Sequence, residues 1–112
     1  MVERSHLAPF LYYVLLDVDP KKGDPFLKWL SGKHIQDVLT HPGFMWARRV
    51  PLDEPAEDGW KKLLIVYGIN SREDYQIYKD SDLFLQFKEE CKQFEGLYRV
   101  QRFSGQVDLV LD

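Results

Sequence analysis

A single cysteine, Cys91, is all the thiol chemistry that the 112 residues carry. An internal disulfide and a cysteine-built zinc site are therefore both excluded. Histidine is scarce too. His6, His34 and His41 stand alone, without paired spacing or an HExxH pattern, and make a poor metal site. Basic residues never cluster: the formal charge is −3, with both signs mixed along the chain. Neither a nucleic-acid footprint nor a patch for an anionic membrane is expected from such a distribution. The apolar run from Ala8 to Leu16 is far too short to cross a bilayer. It is aromatic-rich and no small-residue cleavage site follows it, so it makes a poor signal peptide, and a soluble cytoplasmic protein is expected. There is no glycine-rich phosphate loop, nucleophile elbow or Ser-His-Asp spacing.

Aromatic residues, by contrast, are plentiful: seven Phe, six Tyr and three Trp. The length suits one domain over residues 1–112, with 1–8 read as a mobile N-terminal stretch. A domain this small buries only about two-thirds of its unfolded surface. More aromatic area than a small monomer can hide points to a subunit interface or a ligand cavity.

Residues 10–18, "FLYYVLLDV", are apolar at nearly every position, the pattern of a strand covered on both faces. After "DPKKGDP", Asp24-Pro25 reads as a helix start, with Asp as cap and Pro in the first turn. That helix is expected to run to about Leu39 and stop before Pro42-Gly43, with Gly32 weakening its middle. "FMWARRVPL" (44–52) reads as a second strand, "DEPAEDG" as a polar connection, and "WKKLLIVYGI" (60–69) as a third strand. Ser71 followed by Asp74 marks a short helix bent or ended near Asp80. Ser81 caps a longer one that Gly96 stops. Leu83, Phe84, Phe87, Cys91 and Phe94 share one face of it, so Cys91 reads as helix core without an activated thiolate. "LYRVQRFSGQVDLVLD" returns to strand, with Ser104-Gly105 as a bulge or bend.

That rhythm fits an α+β ferredoxin-like β-α-β-β-α-β sandwich, a four-stranded antiparallel sheet with its helices on one face. Helices cover only that face, yet the first and third strands are apolar on both. A second copy of the sheet is the economical cover, so a homodimer packed sheet to sheet is expected.

The phrase "FLKWLSGKHIQDVLTHPGFMWARR", followed by "LLIVYGINSREDYQIYKDSDLF", resembles the dimeric α/β-barrel superfamily. It is most similar to small EthD-like and uncharacterised members, with their "W/Y…HI/L..VL..PGF..ARR" signature and later "Y..Y..S" segment. The resemblance covers nearly the whole chain, although Gln36 stands where relatives often have proline. It implies a dimeric α/β barrel. Relatives include cofactor-free monooxygenases, cyclases, isomerases, dehydratases and haem-handling enzymes, besides members without known activity.

Setting Phe26 at zero and advancing about 100° per residue, Leu27, Leu30, His34 and Val38 fall between roughly 40° and 120°. His34 thus faces the sheet. Burying an unpaired polar group costs about 1–3 kcal/mol, so an imidazole there needs either a partner or a purpose. One reading is a core histidine satisfied by a strand carbonyl or side chain. The other is a general acid–base at a pocket, the role that the resemblance implies for the matching histidine of EthD-like relatives. Asp37, one turn along, stands where it could orient the ring or face solvent. Tyr67 offers a hydroxyl to steady an oxyanion. Tyr13, Trp46 and Phe103, with Tyr67, are candidate aromatic walls for a small hydrophobic or aromatic ligand, although packing in the core or in a sheet-to-sheet dimer is the commoner role for such residues. Arg48 and Arg49 alternate across a strand, so one is expected to point inward unless the strand is bulged, there either to bind a carboxylate or enolate oxygen or, more commonly, to pair with an acidic residue. No cofactor is expected; haem ligated through His34 is a minor alternative. The expected function is binding, and conversion by cofactor-free acid–base chemistry, of a small aromatic or polyketide-like molecule. The rival is a non-catalytic binder or structural homodimer.

Overall fold

The computed structural model describes residues 8–112. His6 and nearly all of the stretch expected to be mobile lie outside them; Ala8, which belonged to that stretch, is buried. The chain runs β1 (Phe10–Val18), α1 (Asp24–Trp29), a π-helical segment (Leu30–His34), α2 (Ile35–Val38), β2 (Phe44–Pro51), β3 (Lys61–Ile69), α3 (Arg72–Lys79), α4 (Asp82–Cys91), a 3-10 turn (Lys92–Phe94) and β4 (Tyr98–Gln106). The strands form one four-stranded sheet in the order β2-β3-β1-β4, with every neighbouring pair antiparallel.

Strand parity sorts the side chains. Phe10, Tyr12, Leu16 and Val18 of β1 and Leu63, Ile65, Tyr67 and Ile69 of β3 turn to the helices and are buried. Phe26, Leu30, Val38, Tyr75, Tyr78, Phe87 and Phe94 meet them from the helical layer and close the core. The alternate residues, Leu11, Tyr13 and Leu15 of β1 and Leu64 and Val66 of β3, lie on the open face and are only half-buried. The two-sided apolar character of these strands is therefore real.

Serine caps define the second helical pair. Ser71 Oγ accepts from the Asp74 N–H at 3.1 Å, and Ser81 Oγ accepts from the Phe84 N–H at 3.2 Å. At the first helix Gly23, not Asp24, occupies the cap position; Pro25 sits in the first turn as expected. Two other local expectations need correction. The sheet irregularity falls between Phe44 and Trp46, where Met45 is the extra residue, while Ser104 and Gly105 continue β4 in regular register opposite Tyr12 and Leu11. Past the bulge the Trp46 indole packs against Gly68, where an added Cβ would come within 2.2 Å of it. β4 ends at Gln106, and the following residues leave the sheet with Leu109 and Leu111 exposed.

The weakness expected at Gly32 takes the form of a π segment. The Ile35 N–H reaches back to the Leu30 carbonyl, and the Gln36 side-chain amide donates to the Ser31 carbonyl at 2.6 Å. The widened turn ends on His34.

Candidate functional site

A cavity of about 220 Å³ lies between the sheet and the helices, and His34 forms part of its wall. The imidazole stacks on Trp29 at 4.5 Å, with the rings 19° apart, and meets the edge of Phe87 at 4.4 Å. Its Nδ1 is buried without a hydrogen-bond partner among the described residues. Burial pushes its pKa down to about 4; Glu90 and Asp37 pull the other way, while Arg102 and Lys33 add to the depression. The ring is accordingly neutral at neutral pH.

The carboxylates nearest the ring are engaged elsewhere. Lys33 Nζ donates to Asp37 Oδ2 at 2.9 Å and to Glu90 Oε1 at 3.1 Å, and Trp29 Nε1 donates to Glu90 Oε2 at 3.3 Å. Asp37 is partly exposed and does not line the cavity. It acts on His34 through its field and holds no imidazole N–H.

Hydroxyl groups supply most of the other polarity. Tyr12, Tyr67, Tyr78 and Tyr98 all line the cavity. Burial raises Tyr12 to about 12, with Arg102 opposing, and burial beside Cys91 raises Tyr98 to about 12. Tyr67 and Tyr78 are pushed up by burial as well. All four phenols keep their protons at neutral pH and can donate. Cys91 also reaches the wall, its thiol pushed up by burial and so held protonated. Arg102 and Lys88 complete the polar lining, and no carboxylate lines the cavity among the described residues.

The structure brings only part of the expected constellation together. His34 and Tyr67 share the cavity. Tyr13, Trp46, Arg48 and Phe103 lie on the opposite face of the sheet, so the expectation that these aromatics line one cavity with Tyr67 is not met within one chain. Arg48 rests over the Trp46 ring at 4.9 Å. Arg49 turns to the helix side, where its Nη1 donates to Ser31 Oγ at 2.9 Å, outside the cavity. The inward arginine is instead Arg102 of β4. It was findable by parity: in "YRVQRF" it follows Tyr98 and Val100 at alternate positions, and it pairs with Val14 of β1. Tyr12 is likewise one residue from the Tyr13 that sequence reasoning favoured.

Haem does not fit this arrangement. The cavity falls below the roughly 300–1,000 Å³ of drug-sized ligand pockets, and Trp29 and Phe87 hold the imidazole from two sides. Among the described residues no cluster of three His, Cys, Asp or Glu side chains could hold a metal. No helix among them is long and apolar enough to cross a membrane.

Element order, strand order and one-sided helical cover define the class: an α+β protein of the ferredoxin-like fold, the fold of antibiotic biosynthesis monooxygenases and EthD-family proteins. Residues 9–103 match the family described as a domain of unknown function (DUF4286), and the chain belongs to that family. No curated protein matches it by sequence. Among solved structures, a dimeric ferredoxin-like protein from an uncultured marine organism is similar at a TM-score of 0.67 and 19% identity, over 92% of this chain and 98% of that one. An ethyl tert-butyl ether D (EthD) family protein from Bacillus halodurans superposes at 0.61 with 14% identity, over 84% and 96%. SnoaB, a cofactor-independent oxygenase from Streptomyces nogalater, superposes at 0.63 with 13% identity, over 93% and 98%.

Proposed function

We propose that the cavity beside His34 binds a small, largely apolar molecule of aromatic or polyketide-like character, and that His34 exchanges a proton or hydrogen bond with it. The observation that carries this reading is the lining: the largely buried, neutral imidazole of His34 shares the cavity wall with four protonated phenols amid aromatic and aliphatic side chains. Tyr67, which shares the wall, would steady negative charge developing on an oxygen. Such chemistry needs no cofactor, and the shared fold with a cofactor-independent oxygenase is consistent with it.

We also propose that the protein is a homodimer packed through the open sheet face, on which Tyr13, Trp46 and Phe103 lie. The dimeric state of a similar ferredoxin-like protein supports this assembly. Trp46 Nε1, buried without an acceptor among the described residues, adds an unpaired donor to that face.

A second reading, binding without turnover, draws support from the engagement of Asp37 and Glu90 with Lys33. Neither carboxylate holds His34 in one tautomer, as an acid–base residue usually requires. NMR titration of the His34 ring protons, free and with a panel of phenolic and carboxylic ligands, tests the site. The expected outcome is a ring silent near neutrality whose resonances, and whose pKa, move when a ligand enters. A ring indifferent to every ligand would leave His34 a packing residue.

A further inference from the structure

We infer that the cavity selects ligands whose apolar body carries one anionic oxygen group, a carboxylate or an enolate, and that Arg102 reads that group. This rests on the cavity being a binding site and goes further by assigning the ligand's charge and the residue that recognises it.

The charges around the cavity carry the inference. Arg102 and Lys88 both line it, and no carboxylate among the described residues does. The chain holds 18 acidic residues against 15 basic ones, so carboxylates are in surplus. Lys33, Lys62, Lys92 and Arg99 each take one at 3.5 Å or less. Arg102 and Lys88 take none among the described residues, as is also true of Lys21, Lys28, Arg48, Arg49, Arg72 and Lys79. Unpaired cations are ordinary on an open surface. Here they share one wall with a largely buried neutral imidazole and protonated phenols, so that the polar part of the lining is rich in donors and holds no carboxylate among the described residues.

Position singles out Arg102. It stands on the helix side of β4 opposite Val14, while its own side chain stays exposed. Lining and exposure together place its head at the cavity mouth. Its field is felt by Tyr12, His34, Cys91 and Tyr98, which lie around the cavity. Lys88 lies over the Phe84 ring at 4.9 Å, a contact that holds its ammonium on the same side. An apolar body can enter between Phe87 and the sheet while its anionic oxygens remain at the guanidinium fork, a geometry that suits a carboxylate. The volume of about 220 Å³ keeps that body small.

Matched acid and amide probes test this: benzoate against benzamide, salicylate against salicylamide, 1-naphthoate against 1-naphthamide. Binding to the full chain is followed by the His34 ring resonances, which report entry whatever the probe's charge. Each acid is expected to bind about tenfold or more tightly than its amide, the scale of a hydrogen bond to a charged partner. Arg102→Gln should abolish that preference, Arg102→Lys should retain part of it, and Lys28→Gln, on an exposed helical position, should leave it unchanged. Circular dichroism checks that each variant is folded. Amides that bind as well as acids, or a preference that survives in Arg102→Gln, would overturn the inference while leaving the binding site intact. If no probe of either charge moves His34, the binding-site reading fails and the inference with it.

Discussion

A neutral imidazole held inside a protein leaves a signature in the pH dependence of folding. His34 has a folded pKa of about 4 against an ordinary value of 6.5, mainly because burial disfavours its charge. Above pH 6.5 the ring is neutral in both states and adds no pH dependence. As the pH falls toward 4 the unfolded chain takes up a proton that the folded chain refuses, so stability falls; below about 4 the effect levels off. A displacement of that size corresponds to about 3 kcal/mol. His34→Leu removes the group. The stability difference between wild type and variant, from urea unfolding, should therefore shift against wild type by about 2–3 kcal/mol between pH 7 and pH 4. Parallel curves would show that the ring is not buried in its neutral form. At this scale the sequence was legible where periodicity spoke and illegible where only three dimensions decide. The helical arc placed His34 toward the sheet. The Lys33–Asp37 pair is a local contact four residues apart, but the sequence did not reveal that Lys33 also holds Glu90, which lies 57 positions away in the chain. Arg102 has no adjacent arginine in β4, and only the parity of that strand, paired through Val14 to β1, turns it toward the helices.

Helix and strand boundaries were largely written in local chemistry. Ser71 and Ser81 cap the helices expected of them, and Gly43, with φ of +90°, makes the turn into β2 that Pro42-Gly43 announced. Irregularities were harder to place. Ser104-Gly105 resembles a bulge signal, but β1 pairs with it in regular register, whereas the actual bulge at Met45 carries no glycine or proline. It is required by the seat of Trp46 on Gly68, a contact between strands that local propensity cannot anticipate. The π segment belongs to the same scale. Gly32 lies in its middle, has no positive φ, and would meet nothing within 4 Å if it carried a Cβ. Gly32→Ala should then stabilise the fold by about 0.5–1 kcal/mol, through lower entropy of the unfolded chain, and raise the Tm by a few degrees. A calorimetric loss of stability instead would mean that the wide turn itself needs glycine, and that the position of His34 depends on it.

The whole molecule presents two unlike faces of one sheet, and they are independent enough to be tested apart. Across the open face, register aligns Arg48, Val66, Tyr13 and Phe103 in one row and Val50, Leu64, Leu15 and Gln101 in the next. Toward one end the face turns polar. Asp17 pairs there with Lys62 at 3.5 Å and with Arg99 at 3.2 Å, and Arg99 also reaches Asp58. An apolar centre with a charged border is the anatomy of a protein interface, and a monomer rarely leaves so continuous a patch to water. That both faces are apolar was readable from "FLYYVLLDV" and "LLIVYGI", because strand alternation is local; what covers the second face is not, because a partner's contribution is absent from any one chain. The proposed dimer makes a definite demand. Light scattering should give twice the monomer mass at micromolar concentration. Val66→Lys, which buries an ammonium in the middle row, should give a folded monomer. Since Val66 points away from His34, the ring resonances and their response to ligands should survive in that variant. Wild type running as a monomer would remove the explanation for the two-faced strands. A Val66→Lys monomer that has lost ligand response would show instead that the cavity depends on the partner.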